Sequence, residues 1–161
     1  MEPLDFKVVK SKETFLKNYE LHDWAIATAK PILESWGFQF KLFGEDRRFQ
    51  EEWEKGRDKP DDFILSKGKK IALVDWKGKN KKFFGMNKRA YDSYLKWSEE
   101  LELPIFCVIV IKPGEIKVAE LPQDIISSKR EYDANITVKF KEENLMDLEN
   151  FKKRLLNLGA I

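Results

Sequence analysis

The sequence predicts an α/β fold: a central mixed sheet flanked by helices, with elements in the order helix, strand, strand, strand, helix, strand, then a β-hairpin extension and a C-terminal helix. Three observations carry that expectation. Two stretches repeat apolar residues at helical spacing, short β-rich runs stand between them, and Ile105-Phe-Cys-Val-Ile-Val-Ile111 is apolar without interruption, as a strand covered on both faces must be. At 161 residues the chain is expected to form one domain, its core over about residues 12–121 and a further strand and helix over about 122–161.

Taken in order, Phe6 to Val9 suggests a short strand. From Lys12 to Trp36 the pattern is helical, with His22, Ala25, Ile26, Ala29, Ile32, Leu33 and Trp36 on one face, Gly37 where a C-cap belongs and Pro31 expected to bend or split the helix. Phe38 to Phe43 alternates like a strand, and the charged stretch Gly44 to Lys59, anchored by Trp53, reads as a loop or short helix. Lys77 to Asn87 is a glycine- and lysine-rich connection, and Asn87 is placed to cap a helix lined by Ala90, Tyr91, Tyr94, Trp97, Ser98 and Leu101 that ends before Pro104. After the strand at 105–111, Pro113-Gly114 turns the chain and Glu115 to Leu121 returns as its hairpin partner. Ile136 to Phe140 is a short strand, and an amphipathic helix from about Glu143 carries Leu145, Leu148, Phe151, Leu155 and Leu158, with Gly159 past its end.

The chemistry concentrates between Lys59 and Lys79. Phe63-Ile-Leu65 and Ile71-Ala-Leu-Val74 flank Ser66-Lys-Gly-Lys-Lys70, whose glycine suits a hairpin turn. Alternation along the second strand sends Ile71, Leu73, Asp75 and Lys77 to one face and Ala72, Val74 and Trp76 to the other. Both faces begin apolar, so Asp75 and Lys77 end a covered strand and enter a partly dry place. The hairpin brings Asp62, or Asp61, near Asp75. Two carboxylates a few ångströms apart repel unless a cation lies between them, and oxygen ligands with room for water suit Mg²⁺ or Mn²⁺.

Pro60-Asp61-Asp62 ahead of one strand and Asp75-Trp76-Lys77 at the end of the next resemble the PD-(D/E)xK nuclease superfamily, whose restriction-endonuclease-like fold also contains archaeal Holliday-junction resolvases. The acid-x-Lys triplet alone is not distinctive, since Asp5-Phe6-Lys7 and Glu115-Ile116-Lys117 share it. Only the copy at 75–77 ends a buried strand behind an acid that opens the strand before it. The resemblance extends to the αβββαβ element order, over roughly residues 12 to 121. It implies a metal-dependent deoxyribonuclease in which Asp62, Asp75 and Lys77 are catalytic. Mg²⁺, with Mn²⁺ as a substitute, would be held by Asp62, Asp75 and the Trp76 backbone carbonyl. Asp62 is preferred because the family's acid usually runs directly into the apolar strand, while Asp61 is the literal match to the motif and remains open. Lys77 would orient or deprotonate the attacking water or stabilise the pentavalent phosphate. Relatives often place an acid on the first helix, for which Glu20, Asp23 and Glu34 are the candidates, and a phosphate contact at the start of the second, where Lys88, Arg89 and Tyr91 stand. His22, the lone histidine, is a candidate base, with packing on an apolar helix face its more ordinary use.

Net charge is only +2, with 42% hydrophobic and 36% charged residues. The charged share exceeds the usual quarter or so, as on thermophile surfaces. From Lys67 to Arg89 nine basic residues face the single acid Asp75, and Lys79, Lys81, Lys82, Lys88 and Arg89 are the candidate DNA-backbone contacts. The lone Cys107 excludes an intramolecular disulfide and a cysteine-based zinc site. No apolar leader or membrane-length apolar run is visible, so a cytoplasmic protein is expected. Phosphate-loop, dinucleotide, HExxH and GxSxG motifs are absent, which argues against nucleotide cofactors. The expected partner is DNA. A resolvase-like mode of action would need a homodimer, for which Trp53 and Trp97 look exposed enough, and the alternative class is a nucleic-acid-binding module that keeps the fold without cutting.

Overall fold

A computed structural model describes residues 3–44, 58–131 and 135–160; Trp53 and most of the charged stretch before the hairpin lie outside them. Five strands form the main sheet, in the order β1 (Gln39–Leu42), β2 (Asp62–Ser66), β3 (Lys69–Lys79), β5 (Ile105–Ile111), β6 (Glu115–Glu120). Only β3 and β5 are parallel, joined through β4 (Gly85–Asn87) and α2 (Lys88–Leu101); the other neighbours are antiparallel, so the sheet is mixed as expected. β4 also pairs with β8 (Asn135–Phe140), which pairs with β7 (Ile125–Glu131) in a second, three-stranded sheet.

The covered strands follow from composition. β5 is buried at every position, and β3 is buried from Ile71 to Trp76. One face of the main sheet packs Ala72, Val74, Trp76, Phe106, Val108 and Val110 against Ala25, Ala29 and Leu33 of α1 (Pro3–Ser35) and Phe151 and Leu155 of α3 (Leu148–Gly159). The other packs Leu73, Ile105, Cys107, Ile109 and Ile111 against Ala90, Tyr91 and Tyr94 of α2 and Val138 and Phe140 of β8. The apolar spacing that marked the helices is thus the spacing of their buried stripes.

Capping chemistry sets two of the helix starts. Asn87 Oδ1 accepts from the Arg89 N–H at 2.8 Å, and Asp147 Oδ1 accepts from the Asn150 N–H at 2.8 Å. The β2–β3 turn is built from Lys67 and Gly68, at φ 51° and 80°, a left-handed pair that suits a two-residue hairpin.

Several expectations are corrected. Phe6 to Val9 lies within α1, not in a strand, and α1 runs through Pro31 without a break. Pro31 and Ala27, whose carbonyl loses its bond to the missing N–H, both lie on the exposed side, where that carbonyl is open to solvent. The terminal helix starts at Leu148, after a 3₁₀ turn at Glu142–Asn144, and Gly159 is its last residue rather than its cap. Leu145 packs with the opposite cluster. The connection after β3 contains β4, and β7 was not foreseen. Trp97 is not an exposed aromatic: its Nε1–H donates to the Asp58 carbonyl at 3.0 Å and its ring meets Phe43 edge-on at 5.0 Å. Among the described residues no helix is long and apolar enough to cross a membrane.

Candidate active site

The site forms where β3 outruns β2. Pairing of the two strands ends at Asp62 opposite Val74, so Asp75 to Lys79 face an open edge on that side while remaining paired with β5 on the other. Into this edge the residue preceding β2 sends its side chain: Asp61 Oδ2 accepts from the Trp76 backbone N–H at 3.0 Å. A strand residue's N–H and C=O point to the same edge, so the Trp76 carbonyl opens beside Asp61.

A β-bulge determines which acid arrives there. Ser66 pairs with Lys69 and Leu65 with Lys70, but Ile64 pairs with Ala72, leaving Ile71 as the extra residue. Ile71 therefore packs with Ala72 and Val74 instead of sharing the Leu73 face. The shifted register puts Asp62 across from Val74, on the α1 face, where its Oδ2 accepts from the Trp76 indole Nε1–H at 2.9 Å. Its Oδ1 is buried with no hydrogen-bond partner among the described residues. Burial raises the Asp62 pKa, against the indole hydrogen bond that lowers it. Of the two acids expected near Asp75, Asp62 turns to the α1 face, though the Asp75 charge still reaches it, while Asp61, one residue earlier, meets the β3 backbone beside Asp75.

Asp75 and Lys77 stand on the α2 face as alternation required. Lys77 Nζ lies 2.9 Å from Asp75 Oδ2 and 5.8 Å from the Tyr94 ring centroid. Burial opposes the Lys77 charge, but Asp75, by its charge and hydrogen bond, outweighs it and lifts the lysine pKa above its ordinary value. Burial first, and then the charge of Asp75, push Asp61 up to about 6, against the hydrogen bonds from His22 and Trp76.

The first helix contributes His22, which the sequence offers as a candidate base with packing as its more ordinary use. His22 Nε2 lies 2.8 Å from Asp61 Oδ2. Burial would lower the His22 pKa, yet the Asp61 hydrogen bond and the charges of Asp61 and Asp75 leave it raised. Gly78 makes the approach feasible: a Cβ there would collide with the Leu21 carbonyl oxygen, so only glycine lets α1 come this close. A glycine just after Asp75-Trp76-Lys77 was the readable signal of that contact. Glu20, Asp23 and Glu34 are exposed. Asp23 reaches only 3.8 Å from His22 Nδ1.

The basic candidates are more occupied than the sequence suggested. Lys82 pairs with Glu142 at 3.2 Å, Lys88 with Asp92 at 2.6 Å and Arg89 with Asp58 at 3.1 Å. Lys81 is exposed, and Lys79 lies 5.6 Å from the Phe83 ring centroid. Tyr91 is remote from this cluster: its hydroxyl accepts from the Gln123 N–H at 3.1 Å. Cys107, beside Asp75 on the neighbouring strand β5, is a buried free thiol, and burial raises its pKa.

Among the described residues no group of three His, Cys, Asp or Glu side chains converges as a ready metal cage. Asp61 and Asp75, close enough for the Asp75 charge to act on Asp61, and the Trp76 carbonyl beside them are oxygen donors of the kind preferred by Mg²⁺ or Mn²⁺. The residues present fit such an ion, with Asp61 in the position expected for Asp62.

No family model and no curated protein matches the sequence. Among solved structures, the chain is similar to Hjc, a Holliday junction resolvase from the archaeal hyperthermophile Archaeoglobus fulgidus, at 8% identity and a TM-score of 0.51, over 85% of this chain and 96% of that one. The match covers most of both chains, and with the αβββαβ order of the helices and main-sheet strands it shows that this chain has the restriction-endonuclease-like fold.

Proposed function

We propose that the protein is a metal-dependent endonuclease that hydrolyses DNA phosphodiester bonds. The observation that carries this reading is the meeting of Asp61, Asp75 and Lys77 at the open edge of β3, in a fold shared with a Holliday junction resolvase. Asp61, Asp75 and the Trp76 carbonyl would hold Mg²⁺ or Mn²⁺. The bound ion would supply Lewis acidity toward the phosphodiester and charge neutralisation of the displaced oxygen.

The protein's own groups have distinct tasks. Asp75 holds Lys77 charged at 2.9 Å, so Lys77 presents a cation to the phosphate and orients the attacking water rather than taking its proton. Lys79 and Lys81, on and just beyond the end of β3, continue positive charge away from the site along the path a phosphate backbone would take. Lys82, Lys88 and Arg89 would first have to leave their acidic partners, so their contribution to binding is smaller than their number suggests.

The test is cleavage of labelled duplex, single-stranded, flap and four-way-junction DNA with Mg²⁺, Mn²⁺ or EDTA, for wild type and Lys77→Ala side by side. The proposal expects metal-dependent cutting by the wild type, lost in Lys77→Ala while binding survives. Binding without cutting under either metal would overturn it in favour of a non-catalytic binding module.

A further inference from the structure

The Asp61 carboxylate is held through one oxygen. Oδ2 accepts from the Trp76 N–H at 3.0 Å and engages His22 Nε2 at 2.8 Å. With Asp61 ionised the proton of the second bond sits on Nε2, so two donors occupy the lone pairs of Oδ2. A cation approaching Asp61 meets Oδ1.

We propose that His22 is a positioning residue of the metal site: by engaging Oδ2 it makes Asp61 a one-oxygen ligand and biases the site toward small octahedral cations, Mg²⁺ and Mn²⁺, over Ca²⁺. Ca²⁺ takes more oxygens at longer distance and often binds a carboxylate through both, whereas Mg²⁺ demands near-octahedral geometry. The inference rests on the reading of Asp61 and Asp75 as metal ligands.

Two features argue that this histidine is more than packing. Among the described residues His22 Nδ1 is buried without a hydrogen-bond partner, and the nearest Asp23 oxygen, at 3.8 Å, is too far. A leucine at this half-buried place would avoid that penalty, so stability alone does not call for an imidazole. The helix is also held against the site by backbone contact, Leu21 over Gly78, so the orientation of residue 22 does not depend on its own side chain. Trp76 cannot do the same work alone, since one backbone donor leaves the second lone pair of Oδ2 free to bind metal.

The experiment uses the full chain and reads metal binding apart from activity. Mn²⁺ affinity is measured by electron paramagnetic resonance and calorimetry, with Ca²⁺ as competitor, for wild type, His22→Leu, His22→Gln and Asp75→Asn, each checked for folding by circular dichroism. His22→Leu keeps bulk without a donor; His22→Gln restores an N–H. The expected result is Mn²⁺ binding weakened on the order of ten- to a hundredfold in His22→Leu, with the preference for Mn²⁺ over Ca²⁺ reduced, and both largely recovered in His22→Gln. Wild-type affinity and selectivity in folded His22→Leu would overturn the role of His22 while leaving the metal site intact. A wild type that binds no Mn²⁺, or binds it equally well after Asp75→Asn, would overturn the reading on which the inference rests.

Discussion

Replacing Asp61 by Asn should stabilise the metal-free protein at pH 8 and do little for it at about pH 3, below the unfolded pKa. Burial and the neighbouring Asp75 raise the Asp61 pKa from 3.8 to about 6, so ionising it costs more in the folded chain than in the unfolded one. A group raised in this way contributes stability that is present below its unfolded pKa and lost as pH rises through its folded pKa. The wild type should therefore lose ground relative to Asp61→Asn between about pH 4 and pH 7. Roughly two units at about 1.4 kcal/mol each set a ceiling of about 3 kcal/mol. The folded value already contains the attraction to His22, and the amide oxygen still accepts from Trp76 and His22, so a gain approaching that ceiling, about 2 to 3 kcal/mol, is expected at pH 8. Urea unfolding in EDTA at both pH values reads it directly. Equal differences at pH 3 and pH 8, or a less stable variant at pH 8, would refute the reasoning.

Three further outcomes follow from the packing around the site. Gly78→Ala should cost about 3 kcal/mol or more in urea unfolding, because the new methyl meets the Leu21 carbonyl rather than a flexible side chain. Trp76→Phe should cost about 2 to 4 kcal/mol, since it opens space in the core and strips Asp62 of its indole donor. In the double variant with Asp62→Asn the loss should be smaller than the sum, which a double-mutant cycle measures. Gly68→Ala should cost about 1 kcal/mol without altering any site, because φ of 80° strains a residue that carries a Cβ.

The main-sheet strands and the three helices were readable because each carries a strong local signal: an uninterrupted apolar run for β5, alternation for β1, a cap and stripe for α2. β7 was not, since Ile-Ile-Ser-Ser-Lys-Arg-Glu neither alternates cleanly nor forms an apolar run, and three-residue β4 exists through its pairing with β8. The choice between Asp61 and Asp62 shows the limit most clearly. A straight continuation of the Ser66–Lys69 pairing would oppose Asp62 to Leu73 and so place it on the Asp75 face. One extra residue at Ile71 reverses that parity, and no residue type in the turn announces it. The partner of His22 was out of reach for a related reason: the sequence offers His22 as a candidate base on an apolar helix face, but the acid it meets lies 39 residues away in sequence.

Single-turnover cleavage of the preferred DNA by wild type, Asp61→Asn and Asp62→Asn in saturating Mg²⁺ tests the assignment of the site most directly. The assignment of Asp61 to the metal site predicts a loss on the order of a thousandfold for Asp61→Asn and near wild-type rates for Asp62→Asn, whose amide oxygen still accepts from Trp76. Loss in Asp62→Asn with retention in Asp61→Asn would contradict it.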